Sequence, residues 1–206
     1  MTVCPEGSRC LHRRADRSAC NEPLDPGGWH AKKCEVGGGR NDRHNRLRDW
    51  HGDHHKKVTG HTAATEQRVT AWDRLNTRTG EPELARLDIA TRDPVHGRAV
   101  FIDWSITCEQ STRQPRKQAR SNKDGLAAMN QVDEKRRRYP PAGGELVPMV
   151  FESNGRPSEE AASFIRSYGH ALPAAERSEV VSTAWRQISR ILQTGNAEMI
   201  LSAIGR

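Results

Sequence analysis

Cys10, Cys20, His30 and Cys34 form the pattern C-x9-C-x9-H-x3-C in a stretch too poor in apolar residues to pack a core unaided. Residues 1–40 hold four of the chain's five cysteines, set among glycine, proline and charged residues. Zinc takes four nitrogen or sulfur ligands in a tetrahedron, and a segment of this kind gains its fold from the metal. His30 and Cys34 are spaced to clamp an ion from one turn of helix, and EPLDPGGW (22–29) is a turn-rich loop able to wrap it. The spacing leaves alternatives: His12 in place of Cys10, Cys4 as a further member, or scattered free thiols in a flexible tail. Cys108, just past an apolar run, reads as a small buried residue outside the set. An odd number of cysteines and an N-terminus (MTVCPEGSRC) without a secretory pattern argue against a disulfide framework.

Only 34% of the 206 residues are hydrophobic, which limits the chain to one core plus a small satellite. No stretch approaches the roughly 20 apolar residues of a membrane helix. Lys and Arg total 33 against 26 acids, a net charge of +7 that suits a polyanionic partner and equally suits a solvated basic surface.

The expected organisation is a zinc-binding module over 1–40 and a second domain over 41–206. Residues 41–57 are dense in Arg, His and Asp, and 62–76 (TAATEQRVTAWDRLN) read as a short helix. Ala85–Ile89 and Ala99–Thr107 read as strands joined by a hairpin turn at TRDPVHGR. A helix is predicted over 122–139, stopped by Pro140-Pro141. A buried strand follows at Glu145–Glu152, then a helix over 158–168 opened by Ser158 as N-cap. A last helix carries Val181, Ala184, Trp185, Ile188, Ile191 and Leu192 on one face, with Gly195 breaking it. This order predicts an α/β fold with a small mixed sheet flanked by helices.

Three acids carry the candidate chemistry. Asp88 closes the apolar segment ARLDI, and Asp103 sits inside AVFIDWSIT, with fourteen residues between the two. A carboxylate in an apolar strand is costly unless something pairs with it, and two of them side by side call for a cation, Mg²⁺ being the usual one. Glu66, on the expected 62–76 helix, would supply a third oxygen. Phosphodiester hydrolysis needs such a metal and a nearby lysine, for which Lys135 is the candidate, four residues before Tyr139 on the same helical face. The plain alternative is two outward-facing strand acids and a solvated KRRR run.

Taken together, H30-x3-C34, GGGRNDRHN (37–45), TEQRV (65–69), RLDI (86–89), FIDWSIT (101–107), KRRRYP (135–140), LVPMVFESNGR and LQTGN resemble, in order and spacing, the restriction-like endonuclease of site-specific non-LTR retrotransposons. The resemblance spans Cys10 to the C-terminus. It implies a PD-(D/E)XK restriction-endonuclease-like core, Mg²⁺ or Mn²⁺, a structural zinc, and DNA nicking that primes reverse transcription. It matches Asp88 and Asp103 to the metal-binding acids, Glu66 to the acid of the first core helix, and Lys135 and Tyr139 to a lysine–tyrosine pair. Arg43, His44 and Asn45 match a tripeptide assigned to DNA contact or to support of the site. Two positions depart: Leu87 stands where the fold has proline, and Ser105 where it places lysine. DNA, element RNA and a reverse transcriptase domain are the implied partners, with a nuclear location and no membrane. The other readings are a catalytically inactive nucleic-acid-binding remnant, or a cellular nuclease on the same fold.

Overall fold

Val100, Ile102 and Trp104 alternate with Phe101, Asp103 and Ser105, so one face of this strand is fully buried and the other half-buried. The computed structural model describes residues 3–108, 124–141 and 144–206. The elements are α1 (Trp29–Lys33), α2 (Gly39–Thr59), β1 (Ala64–Arg68), β2 (Arg74–Leu75), β3 (Pro82–Glu83), β4 (Arg86–Arg92), β5 (Ala99–Thr107), α3 (Leu126–Arg138), β6 (Glu145–Glu152), α4 (Glu159–His170) and α5 (Ala174–Ala203). The main sheet has the order β1-β4-β5-β6, and β2 and β3 form a separate ribbon. β1, β4 and β5 pair antiparallel, whereas β5 and β6 run parallel from Val100↔Glu145 to Thr107↔Glu152. A parallel neighbour needs a crossover, and the chain between these strands includes α3. The fold is therefore α/β, with a mixed four-stranded sheet between helices.

The larger core lies on the face of Val100, Ile102 and Trp104, where Leu47 of α2, Phe164, Ile165 and Tyr168 of α4, and Ile188 and Leu192 of α5 pack. On the opposite face Ala128 and Val132 of α3 cover Val150, and Trp72, Leu87 and Tyr139 form a second patch. The hairpin turn between β4 and β5 is tied by Asp93, whose carboxylate accepts from Val95 and His96 N–H at 2.9 and 2.6 Å. Ser158 caps α4 by accepting from Ala161 N–H at 3.2 Å. The N-terminal segment docks on the end of α5, where Ala203, Ile200 and Ile204 pack with Cys4, Cys10 and Cys34.

Three expectations are corrected, and the Arg/His-dense stretch, left without an element above, is assigned one. Residues 64–68 form edge strand β1, followed by a 3₁₀ turn at Thr70–Trp72, in place of a helix over 62–76. The segment alternates no apolar face, and pairing with β4 decides its shape. The Arg/His-dense stretch is the 21-residue helix α2, whose buried positions are Arg43, Leu47, His51, Gly52, His54 and His55. Helical periodicity is present there, written almost wholly in polar residues. Gly195 does not break the last helix, which runs unbroken through Ala203. Cys108 is half-buried, not buried. The predicted helix over 122–139 is present as Leu126–Arg138, and residues 122–123 lie outside the described residues.

The histidines of α2 are core residues. Trp104 Nε1 donates to His51 Nδ1 at 3.0 Å, leaving His51 Nε2–H to face the Tyr168 hydroxyl at 2.7 Å. That hydroxyl in turn lies 3.1 Å from His55 Nδ1. Such a relay runs through neutral imidazoles, because an imidazolium has no ring acceptor. Burial pushes His51 well down, and holds His54 and His55 at about 4, with Lys57 adding to the first, and His61 and His54 adding to the second against the pull of Asp93. The folded state thus refuses protons that the unfolded chain accepts near 6.5. The melting temperature is expected to hold above that pH and to fall progressively as pH drops toward 4, measured by calorimetry across a pH series.

Candidate functional site

Two clusters meet near the N-terminal end of α2. In the first, Cys10, Cys20, His30 and Cys34 bring their ligand atoms within 4.8 Å of one another. Cys10 and Cys34 sulfurs lie 3.9 Å apart, and Cys20 sulfur lies 3.5 Å from His30 Nε2. A tetrahedral zinc with bonds of about 2.3 Å to sulfur and 2.0 Å to nitrogen has edges of about 3.8 and 3.5 Å, so the set fits that ion. Burial pushes the Cys34 thiol up to about 12, with Cys10 and Cys20 adding to the rise, and burial also raises Cys10. Burial lowers His30, favouring the neutral ring a metal needs, against the pull of Glu22. Without a cation the Cys10 and Cys34 thiols would sit there protonated; a divalent ion favours the thiolates. His12 is not in the set, because its Nε2 bonds the Met199 carbonyl at 2.9 Å, and Cys4 stays outside.

The second cluster is set by strand register. The β4–β5 ladder ends at Ile89↔Ile102, which places Asp88 opposite Asp103. The β1–β4 ladder runs Thr65↔Ile89 and Gln67↔Leu87, which places Glu66 opposite Asp88. Three acids thus form one row across three strands, each with a cationic or histidine partner. Lys135 Nζ donates to Asp103, and lies 3.5 Å from the Trp104 carbonyl. His44 Nε2 lies 3.1 Å from Asp88 Oδ2, which also accepts from Trp104 N–H at 2.6 Å. Arg48 Nη1 pairs with Glu66. Where β4 and β5 stop exchanging ladder bonds, the Asp88 carboxylate takes over the exposed amide of Trp104.

The electrostatics follow from burial. Asp103 is pushed up by desolvation, which outweighs the Lys135 ammonium, and the neighbouring Asp88 carboxylate adds to the rise. Burial alone would lower His44, but the hydrogen bond and charge of Asp88, with Asn45 and Asp103, raise it above its ordinary value. Tyr139 is buried against Trp72, and its pKa rises through desolvation and the charge of Asp103, opposed by Arg138. Arg136 turns outward to Glu160 at 2.8 Å, so of the two adjacent basic residues Lys135 is the one facing the acids.

Asp88, Asp103 and Lys135 are brought together as their spacing predicts. Glu66 is not: it sits on edge strand β1 and not on a helix, and among the described residues it makes no ion-sharing group with Asp88 and Asp103. The Arg43-His44-Asn45 tripeptide divides. His44 faces Asp88, and Asn45 Oδ1 lies 3.4 Å from His44 Nδ1. Arg43 is only 3% exposed and turns inward, donating to Asn196 and, at 3.2 Å, to the Lys32 carbonyl between the metal-cluster residues His30 and Cys34. In this position Arg43 braces the site, the support side of the expected assignment. Asn196 passes the link on to the Ser153 carbonyl at 2.7 Å. Gly195 makes the room: a Cβ there would lie 2.7 Å from Arg43 Cγ. Sequence reading missed this latch, and a helical glycine beside an asparagine was the available signal.

The sequence matches no protein-family model and no curated protein. Among the described residues no helix is long and apolar enough to cross a membrane.

The purified chain is expected to carry stoichiometric zinc, and Cys34→Ser to lose it. Metal analysis with hydrogen exchange over residues 10–34 checks this, the loss of protection being confined first to that segment. Gly195→Ala should cost about 1–3 kcal/mol by overpacking against Arg43, read as a lower urea midpoint with an unchanged slope.

Proposed function

We propose that this chain is a metal-dependent DNA endonuclease domain of the PD-(D/E)XK restriction-like kind, as its resemblance to the nucleases of site-specific non-LTR retrotransposons implies. The observation that carries the reading is the opposed Asp88–Asp103 pair with Lys135 of α3 reaching Asp103. Two carboxylates this close and this dry are poorly stable as an ionised pair, which is the arrangement a hard divalent cation relieves. Asp88 and Asp103 would hold Mg²⁺ or Mn²⁺, which supplies an activated water and neutralises charge developing on phosphate. With the carboxylates so engaged, Lys135 Nζ is the group available to a phosphate oxygen. His44 fixes Asp88 through Oδ2. Tyr139, packed on Trp72, closes the lysine's side of the site. The Cys/His cluster, holding zinc, braces α1 against Arg43 and so supports the helix that presents His44. Substrate DNA, an element RNA and a reverse transcriptase domain as partners, priming of reverse transcription, and a nuclear location belong to this reading.

A second reading, a DNA-binding module without chemistry, is favoured by the departures at Leu87 and Ser105. Fold and basic charge would then remain while cleavage is lost.

Wild-type chain with Mg²⁺ or Mn²⁺ is expected to nick supercoiled plasmid, and Asp103→Asn to lose about a hundredfold or more in rate while still binding DNA. Lys135→Ala should lose a comparable factor. If wild type and both variants bind DNA equally and none nicks, the non-cleaving module is the correct reading.

A further inference from the structure

The acid row leaves one pair outside the chemistry assigned above. Glu66 is the only non-glycine residue within a strand, among those described, with a left-handed backbone, at φ 53°. That conformation is strained for a side chain carrying a Cβ, and it persists where the surroundings over-determine it. The surroundings here are Arg48, whose Nη1 meets Glu66 and whose Nε meets Asp49 at 2.8 Å. Arg48 lies one helical turn after His44 on α2, so the two side chains share a face, one directed at Asp88 and the other at the residue opposite Asp88. The Arg48 side chain is 15% exposed, whereas Glu66 is 47% exposed and Asp49 59%. The cation is therefore fixed at the edge of the site, and the acids that hold it are the exchangeable members.

We propose that Arg48 is a phosphate-binding residue of this site and that Glu66 is its stored counter-ion rather than a metal ligand. The proposal rests on the DNA-cleaving reading for its substrate, a DNA phosphodiester. A guanidinium offers a planar fork that matches a phosphate as well as a carboxylate. An ion pair with so exposed a carboxylate is weak in water, so an arriving phosphate can take the place of Glu66. Held in the absence of DNA, Arg48 is preorganised at Glu66, the position opposite Asp88, instead of sweeping through solvent. The same contact accounts for Glu66 standing apart from Asp88 and Asp103.

The test is binding of a short fluorescein-labelled DNA duplex of mixed sequence, followed by anisotropy in EDTA across a KCl series, with melting curves to check folding. R48Q should weaken binding and reduce the log–log salt slope by about one, the signature of one lost phosphate contact, while R48K keeps the slope. E66Q should tighten binding more than the control D42N, which removes a charge elsewhere on α2. In the R48Q background E66Q should add nothing, because the two act as a unit. Equal effects of E66Q in both backgrounds, or a wild-type slope in R48Q, overturn the proposal. Should R48Q unfold, E66Q decides: a lost brace lowers the melting temperature and leaves metal-free binding unchanged, and that result also overturns it. A higher Mg²⁺ requirement for nicking by E66Q, with metal-free binding unaltered, would make Glu66 a metal ligand instead. If wild type never nicks, the cleavage reading fails, yet the EDTA measurements still decide the role of Arg48.

Discussion

Asp88 and Asp103 face each other across neighbouring strands, nearly out of water, and neither carboxylate is tolerable there alone. The placement of the surrounding elements answers this constraint. α3 delivers Lys135 to Asp103 from beyond one strand, and α2 delivers His44 to Asp88 from the other side. The backbone contributes as well, since β4 and β5 part at this point and the freed Trp104 amide donates to Asp88. The raised Asp103 pKa shows that these partners compensate the burial only in part. That incomplete balance is the feature on which the proposed cation site rests.

Helix α2 is the element through which the rest is connected. Its buried face reads Arg43, Leu47, His51 and His55 at four-residue steps. Arg43 fastens it to the Lys32 carbonyl and to Asn196 of α5, and so ties the Cys/His cluster to the core. His51 and His55 fasten it to Tyr168 and Trp104 by hydrogen bonds in place of aliphatic packing. Buried polar contacts of this kind fix register more sharply than apolar ones, because a slipped helix leaves donors and acceptors unpaired. His44 is thereby set against Asp88 by a helix that has little freedom to slide. The cost is sensitivity to acid, since the histidines stay in the core only as neutral rings.

The interplay of the two clusters follows from chain order. Lys32 lies between His30 and Cys34, and Arg43 immediately precedes His44. A metal in the first cluster would order the Lys32 carbonyl that holds Arg43, three bonded or hydrogen-bonded steps from Asp88. Gly195 and Asn196, ordinary in a sequence, become intelligible only as the seat of that arginine.

The sequence by itself determined the Cys10/Cys20/His30/Cys34 set, β4, β5 and β6, the capped helix α4, and the placement of Asp88 and Asp103 on neighbouring strands. Each of these rests on a local signal: ligand spacing, an apolar run, a cap, or an acid where an acid is costly. Tertiary structure decided the rest. β1 is a strand because β4 offers it a ladder, although its own residues show no strand pattern. α2 is a buried helix because Tyr168, Trp104 and Asn196 satisfy side chains that in isolation look solvated. Glu66 is drawn off the carboxylate pair by Arg48, a residue eighteen positions away. Polar groups announce in sequence that they need partners, and only the folded chain shows which partners they find.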